Sequence, residues 1–302
     1  MTYDRPVRID VLICAFRRAS IVETLKSIDA QETPDNISLR AIVADNDDAP
    51  SAEETVARAG AAMKTPVLYV HAPARNISIA RNACLDHADA DWVAFIDDDE
   101  CAAPDWIARL YHHATSNGCD AVFGPALADY GETAPGWIRD YDYHTNRPLE
   151  RWGEVQTGHT CNALMRWRGA PYAAERFRLD KGRSGGEDTE FFFRLWRGGA
   201  KLGLADDARV HETVDPARLN FDWIRTRKFR AGQTYGRHAG TAVFTPAWLA
   251  LSAAAKIGAC GAMAAVNIFS TARQRYWLLR GVFHFGVLTA QFGFREHALY
   301  GE

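Results

Sequence analysis

Short apolar runs alternate with amphipathic segments along most of the chain. Four runs rich in Val, Ile and Leu predict buried strands, at residues 7–15, 39–44, 67–71 and 92–96. Three amphipathic segments between them predict helices, at residues 20–30, 51–63 and 77–88. This alternation is typical of β-α-β units, and it predicts a mostly parallel sheet with helices on both faces.

The pattern continues less regularly towards residue 235. Ser20 is the expected N-cap of the first helix, with Glu23 completing a capping box. Further strands are predicted at 121–123, 158–166, 201–205 and 208–211, and further helices at 105–116, 187–195 and 220–235. Residues 126–154 have no clear period and are rich in Gly, Pro, Asp and aromatics, so we expect loops over a site there.

The last sixty residues differ in kind. Residues 248–269 are Ala-rich and apolar but contain Lys256, and arginines interleaved with aromatic residues follow them. The stretch reaches the ~20 residues that cross a bilayer, yet its alanines and Lys256 favour a helix lying in the membrane interface. A spanning helix and a helix packed on the body remain alternatives. The predicted domains are a body at 1–240 and a helical membrane-associating segment at 241–302.

The charge balance supports this division. The 302 residues carry a net charge of −3, but from Ala217 onward there are 11 Lys and Arg against 3 Asp and Glu. The acidic body and the lack of a recognition motif argue against nucleic-acid binding. Six cysteines without metal or redox spacing, and an N-terminus without a signal-peptide pattern, predict a reduced cytoplasmic body.

A cluster of acids changes the picture most. Asp97, Asp98, Asp99 and Glu100 directly follow the predicted strand at 92–96, at the sheet edge where open α/β folds bind ligands. Adjacent carboxylates repel each other, and a hard cation such as Mg²⁺ or Mn²⁺ removes the conflict. The alternative is a solvated acidic turn that precedes the helix after Pro104.

Other candidates lie at the same predicted edge. Asp45 ends the second strand and could accept a hydrogen bond from a base or ribose, or form an Asx turn. Phe16 lies just past the first strand and could stack on a nucleobase, or belong to the core. Arg81 lies near a helix start and suits a diphosphate or a base carbonyl, or a surface ion pair.

Four more residues complete the candidate set. Asn162 could touch a sugar hydroxyl. Glu187 and Asp188 follow two glycines, and one of them could be a general base, or both could simply favour the helix N-terminus. His211 could complete a metal site with Asp99, or be an ordinary polar residue.

Taken together, these features resemble the family 2 glycosyltransferases over about residues 7–235, in particular the bacterial exopolysaccharide glucosyltransferases of succinoglycan assembly. The resemblance rests on the aromatic after the first strand, the acid ending the second, the ARN segment at 80–82, the aspartates at 97–99, the Asn162 segment and the acid pair at 187–188. It implies the α/β nucleotide-sugar transferase fold called GT-A, Rossmann-like, with an inverting mechanism.

The resemblance also implies roles for the candidates. Phe16 would stack on uracil, Asp45 would hydrogen-bond it, and Arg81 would lie nearby. Asp97 or Asp98 would hold the ribose and Asp99 the metal, with the register open by one residue. For the remaining candidates, Asp188 would be the base with Glu187 as its neighbour, and His211 would be a further metal ligand.

The expected function is transfer of one sugar, glucose or a related hexose, from a UDP-sugar to a polyprenyl-diphosphate-linked glycan, assisted by Mn²⁺ or Mg²⁺. A single addition is expected because Gln233 and Arg237 do not have the spacing of the Gln-x-x-Arg-Trp motif of processive synthases. The expected place is the inner face of the cytoplasmic membrane. The alternative is a catalytically silent sugar-nucleotide-binding or scaffold subunit. An aspartyl-phosphate phosphatase is disfavoured, because Glu100 and Cys101 stand where it needs Thr or Val.

Overall fold

The computed structural model describes residues 6–151, 153–242 and 245–292, which group into two compact units. The first unit comprises residues 6–129 and 145–213, and the second comprises residues 130–144 and 214–292. The second unit therefore begins before residue 240. The sequence-based assignment of residues 1–240 to the body and of residues 241–302 to a membrane-associating segment stays a prediction.

The described residues form twelve strands and nine α-helices. The strands are β1 (Val7–Ala15), β2 (Ile37–Asp45), β3 (Val67–His71), β4 (Trp92–Asp97), β5 (Glu100–Ala102), β6 (Ala121–Phe123), β7 (Ala126–Asp129), β8 (Glu150–Arg151), β9 (Glu154–Val155), β10 (Asn162–Arg166), β11 (Leu202–Leu204) and β12 (Val210–Thr213). The helices are α1 (Ile21–Asp29), α2 (Glu53–Gly60), α3 (Ile77–His87), α4 (Trp106–Asn117), α5 (Gly136–Tyr141), α6 (Glu187–Arg197), α7 (Phe221–Ala242), α8 (Pro246–Val266) and α9 (Thr271–Gln291).

The first unit is built on a seven-stranded sheet in the order β11-β6-β10-β4-β1-β2-β3. β10 runs antiparallel to both of its neighbours, and the other pairs are parallel. The central strands β1 and β4 are buried along almost their whole length, as expected for parallel strands covered on both faces. The predicted mostly parallel sheet is thus confirmed.

Two hydrophobic cores cover the two faces of this sheet. On one face, α1, α2 and α4 contribute Leu25, Val56 and Trp106. On the other face, α3 and α6 contribute Leu85 and Phe192. The aromatic packing in the second core is tight, and Phe123 meets Phe192 edge to face at 4.6 Å between ring centroids.

The structure corrects two local predictions. Residues 126–154 are not only loops, since they contain β7, α5, β8 and the start of β9. β7 forms because it pairs with β12 in a small sheet of order β5-β12-β7, a contact between distant parts of the chain. The capping box is also wrong: Ser20 has helical backbone angles and makes no capping hydrogen bond, and Glu23 pairs with Lys26.

The second unit consists of helices. Ile138, Tyr143, Ile224 and Leu279 form its buried apolar cluster. α7 and α9 approach each other at glycines: a Cβ on Gly232 would clash with the Phe283 carbonyl oxygen. A Cβ on Gly286 would likewise clash with the carbonyl oxygen of Phe229, so both positions require glycine. By length and composition, α8 is the one described helix able to cross a membrane.

Candidate active site

The carboxyl ends of three parallel strands meet at one edge of the main sheet. Ala15, the last residue of β1, pairs with Asp45 of β2, and the neighbouring position of β1 pairs with Asp97 of β4. β10 runs the opposite way, so its first residue Asn162 lies opposite Ile96 at the same edge. The structure thus brings together the candidates that the sequence placed at strand ends.

The three aspartates after β4 have different surroundings. Asp98 is buried, and its carboxylate accepts hydrogen bonds from the Phe16 backbone N–H (3.0 Å) and from the Arg18 guanidinium (2.8 Å). Arg18 also pairs with Asp99 at 2.6 Å. Asp97 is the most accessible of the three, with 41% of its side chain exposed against 20% for Asp99. Asp97 and Asp99 are therefore better placed than Asp98 to meet a ligand.

The cluster holds more negative charge than its surroundings compensate. Although part of Asp97 is exposed, desolvation by the protein around it raises its pKa to about 7, opposed by Arg81 and supported by the two neighbouring aspartates. Desolvation likewise raises the pKa of Asp98 to about 6 against the effect of Arg18. Burial raises the pKa of Glu100, whose carboxylate accepts the Asp97 backbone N–H at 2.9 Å. Such a site attracts a cation.

Phe16 and Asp45 differ in accessibility. The Phe16 ring is partly exposed and lies under the Arg17 guanidinium, 5.1 Å from the ring centroid. The Asp45 carboxylate is fully buried and accepts hydrogen bonds from the backbone N–H groups of Asp47 (3.1 Å) and Ala52 (2.7 Å) and from a tyrosine hydroxyl. Asp45 thus shapes the turn after β2, and its role in nucleobase binding stays a prediction.

Arg81 joins the acid cluster to the start of α6. Its guanidinium forms a buried ion pair with Glu187 and lies 3.8 Å from Asp97. Burial raises the pKa of Glu187, with Arg81 opposing that shift. The Oε2 atom of Glu187 has no hydrogen-bond partner among the described residues. Glu187 therefore depends on Arg81 for its compensation.

Asp188 lies beside a histidine that the sequence did not single out. His159 Nδ1 is 3.0 Å from Asp188 Oδ2, and the Thr189 backbone N–H donates to Oδ1 at 2.6 Å. Burial alone would raise the pKa of Asp188, but His159 and Arg81 outweigh it and hold that pKa well below its usual range. The carboxylate is therefore ionised at neutral pH, as a general base requires.

Asn162 and His211 both have protein partners, although the His211 side chain is also partly exposed. The Asn162 side chain is buried, accepts from the Trp106 indole (2.8 Å) and donates to two backbone carbonyls, so these contacts do not support a contact with a sugar. His211 Nδ1 lies 3.2 Å from an oxygen of Asp129. The predicted roles of both residues stay predictions.

Sequence relatives identify the family. A family model described as "Glycosyl transferase family 2" matches residues 10–169, and another described as "Glycosyl transferase family group 2" matches residues 92–292. The succinoglycan biosynthesis protein ExoM of Rhizobium meliloti is 43% identical over 297 residues, which is 98% of this chain and 96% of ExoM. The chain belongs to glycosyl transferase family 2. It is a glycosyltransferase.

More distant relatives support the fold of this glycosyltransferase. A glucosyl-dolichyl phosphate glucuronosyltransferase of Haloferax volcanii is 25% identical over 75% of each chain. The mannosyltransferase PcManGT from Pyrobaculum calidifontis, in complex with GDP-Man and Mn²⁺, is 18% identical and superposes with a TM-score of 0.65 over 96% of this chain and 88% of its own. S. aureus TarS 1–349 in complex with UDP is 15% identical, with a TM-score of 0.52 over 95% and 90%. The predicted GT-A fold is confirmed.

The acid cluster of this glycosyltransferase fits a divalent metal that is held by only a few protein side chains. Across the described residues, no three His, Cys, Asp or Glu side chains are arranged as a ready-made metal site. Mg²⁺ and Mn²⁺ sites of this kind use one or two carboxylates plus substrate phosphates, so three are not required. The raised carboxyl pKa values beside the accessible Asp97 and Asp99 are the observation that fits a cation.

The structure adds site residues that sequence reasoning missed. Arg18 follows β1 at the same sheet edge, so the strand-end argument could have found it. His159 precedes β10 and acts on Asp188 from 29 positions away, a separation that carries no sequence signal. On β12, Glu212 lies opposite Glu100 and raises its pKa, whereas its neighbour His211 lies opposite an exposed cysteine.

Proposed function

We propose that this glycosyltransferase transfers a single hexose, with inversion, from a UDP-sugar to a hydroxyl of a polyprenyl-diphosphate-linked glycan in bacterial exopolysaccharide assembly. The observation that carries the proposal is the convergence of Phe16, the aspartates after β4, and the Glu187–Asp188 pair around one sheet edge. The family relationship to a succinoglycan biosynthesis protein supports the pathway class and a place at the inner face of the cytoplasmic membrane.

The donor would occupy the β1–β4 edge. Phe16 offers a partly exposed ring for the base, and Asp97 offers an accessible carboxylate for the ribose hydroxyls. Asp98 would act indirectly, because it fixes Phe16 and Arg18 through hydrogen bonds. The relatives whose titles name UDP or GDP-Man support a nucleotide-sugar donor.

Asp188 would take the proton of the acceptor hydroxyl. As that oxygen forms a bond to the anomeric carbon, the bond from this carbon to the diphosphate oxygen breaks, and the electron pair leaves with the diphosphate. Attack from the opposite face converts an α-linked donor into a β-linked product. Its low pKa keeps Asp188 unprotonated before attack, while Arg81 and His159 hold it in place electrostatically.

A divalent cation, Mn²⁺ or Mg²⁺, would supply positive charge for the leaving diphosphate. Asp99 would hold it through a partly exposed carboxylate, and His211 is the predicted further ligand. Arg18 already compensates part of the charge at Asp99, so the pair between them would loosen when a cation binds.

Calorimetric titration with UDP-, GDP- and dTDP-sugars, with and without Mn²⁺ or Mg²⁺, tests the donor site. We expect metal-dependent binding of UDP-sugars that disappears in Asp99→Ala and persists in the control Asp180→Ala, whose partner Arg178 lies at an exposed surface. Absence of binding by the folded wild type would reject the proposal.

Asp188→Asn tests the chemistry separately. We expect donor affinity near that of the wild type but a loss of sugar transfer to membrane-derived acceptor of about 10²–10⁴-fold, the usual contribution of a positioned base. Transfer at the wild-type rate would reject Asp188 as the base. Donor binding by the wild type without any transfer would favour the silent-subunit alternative.

A further inference from the structure

α8 leaves most of its apolar surface exposed. Only 22% of the residues in its most apolar 18-residue stretch are buried. The buried residues form a single stripe along the helix, at Leu249, Ala253, Cys260 and Ala264. The exposed large side chains are Trp248, Leu251, Met263 and Val266. A contiguous apolar face of this kind marks a surface that binds a partner or a membrane.

The buried stripe of α8 faces α9. A Cβ on Gly281 of α9 would lie 3.4 Å from the Cβ of Cys260, so the middle of α9 touches the second half of α8. α9 in turn packs closely on α7, where Gly286 meets the backbone of Phe229. The three helices thus form a layer with α8 at its edge, and among the described residues α8 packs along one stripe only.

This layer argues against a spanning orientation. Lys256 lies near the middle of α8 and is exposed, and Arg280 lies near the middle of α9 and is exposed. If α8 crossed a bilayer, it would take its packed neighbour α9 with it, and both cations would lie near the centre of the hydrocarbon. Charged side chains are costly at that depth. An orientation parallel to the membrane plane keeps both cations near the head groups.

The first half of α9 provides the chemistry of a head-group region. The Arg275 guanidinium lies 4.6 Å from the Trp137 ring centroid, Tyr276 stacks on Tyr141, and Arg280 donates a hydrogen bond to the Tyr276 hydroxyl. Arginines with amphipathic aromatic rings favour the interface of anionic membranes. The excess of 11 Lys and Arg over 3 Asp and Glu from residue 217 onward is complementary to anionic lipid. Phe269, just after α8, is fully exposed.

We propose that α8 is a monotopic anchor for an anionic bilayer. Its exposed apolar face lies at the boundary between head groups and acyl chains, parallel to the membrane plane, and the cations of α9 face the head groups. This anchor specifies how the protein contacts the membrane in the proposed function. It rests on that proposed function only for the place of action, the inner face of the cytoplasmic membrane. Lipid binding is measured without any sugar transfer, so either idea can fail alone.

Flotation of the purified full chain with vesicles tests the anchor. The vesicles contain phosphatidylcholine alone or mixed with phosphatidylglycerol. The test variant is Leu251→Ser/Val266→Ser/Phe269→Ser, and the matched control is Leu149→Ser/Leu179→Ser, which removes two exposed leucines of the first unit. We expect wild type and control to float with anionic vesicles in a salt-sensitive manner, and affinity of the test variant to fall about tenfold or more.

Several outcomes would overturn the anchor. These are absence of wild-type binding, equal binding by the test variant, or wild-type protein that resists carbonate extraction as a spanning helix does. A lipid-free dimer that the test variant abolishes would assign the face to a second copy of the chain. Circular dichroism and donor titration on the same preparations show that the variants are folded and report separately on the proposed function.

Discussion

Arg81 carries much of the electrostatics of the site. Its buried guanidinium pairs with Glu187, lies near Asp97 and lowers the pKa of Asp188. Because one cation serves three carboxylates in a poorly solvated region, each of them depends on it for compensation. Arg81 therefore links stability to the ionisation of the proposed base, and the two effects can be measured separately.

Removing Arg81 should destabilise the first unit strongly. Arg81→Leu leaves Glu187 buried without a cation, and we expect the free energy of unfolding in urea to fall by about 3–5 kcal/mol. Arg81→Leu/Glu187→Leu should recover part of that loss, because the buried carboxylate that pairs with Arg81 is removed as well, whereas Asp97 and Asp188 still lose its charge. In the control, Arg178→Leu removes an exposed pair with Asp180 and should cost below about 1 kcal/mol. Equal losses in the single and double variants would contradict the argument.

We expect His159 to set the acid side of the pH profile of sugar transfer. Its imidazole helps hold the pKa of Asp188 low, so His159→Phe should raise that pKa. Protonated Asp188 is inactive as a base, and activity of the variant should therefore fall off at higher pH than in the wild type. The measurement is kcat against pH for sugar transfer, or for slow donor hydrolysis.

A matched control exists in a second histidine–aspartate pair. His113 lies 2.8 Å from Asp207 with 31% of its side chain exposed, close to the 37% of His159, but outside the site. His113→Phe should leave the pH profile unchanged. An unshifted profile in His159→Phe would show that His159 does not act on Asp188 during catalysis.

At the scale of elements, predictability followed the range of the interactions that form each element. β1 and β4 were predictable because long apolar runs bury both faces of a strand whatever its partners. β5 and β7 are three and four residues long and form by pairing with β12, which no local pattern reveals, whereas the strand predicted at 208–211 overlaps β12 itself.

The range of the interactions also decided which site residues could be predicted from the sequence. Acids at strand ends were predictable, because the carboxyl ends of parallel strands share an edge. The hydrogen bond from the Trp106 indole to the Asn162 side chain joins residues 56 positions apart, and no local pattern reveals it. The direction of His211 depends on its register with β5, where a shift of one residue would exchange it with Glu212.

The crossing of α7 and α9 should tolerate no side chain at Gly286. In Gly286→Ala the new Cβ would lie against the Phe229 carbonyl oxygen, so the helices must separate, and unfolding free energy should fall by about 1–3 kcal/mol or more. Gly258→Ala in α8 meets no atom within 4 Å and should be neutral or stabilising by up to about 1 kcal/mol, the helix propensity difference. Thermal melts followed by circular dichroism compare the two, and equal midpoints would contradict the packing.

For the whole molecule, we expect the acid cluster to couple stability to pH and to the proposed metal. The pKa values of Asp97 and Asp98, about 7 and about 6, lie above those of an unfolded chain. The folded state therefore holds protons that the unfolded state has released between about pH 4 and pH 7. The contribution of these two groups to the free energy of unfolding therefore declines as pH rises through that window. A bound cation would oppose the decline.

We therefore expect Mn²⁺ or Mg²⁺ to raise the melting temperature more at pH 8 than at pH 5. At pH 5 Asp97 and Asp98 are largely protonated, and a cation must displace their protons to bind beside them. At pH 8 the ionised cluster gains both ligand oxygens and relief of repulsion when a cation binds. Differential scanning fluorimetry at both pH values, with EDTA as the metal-free reference, measures the difference. Asp99→Ala should abolish the gain while Asp180→Ala retains it, and a larger gain at pH 5 than at pH 8 would contradict a carboxylate cluster as the metal site.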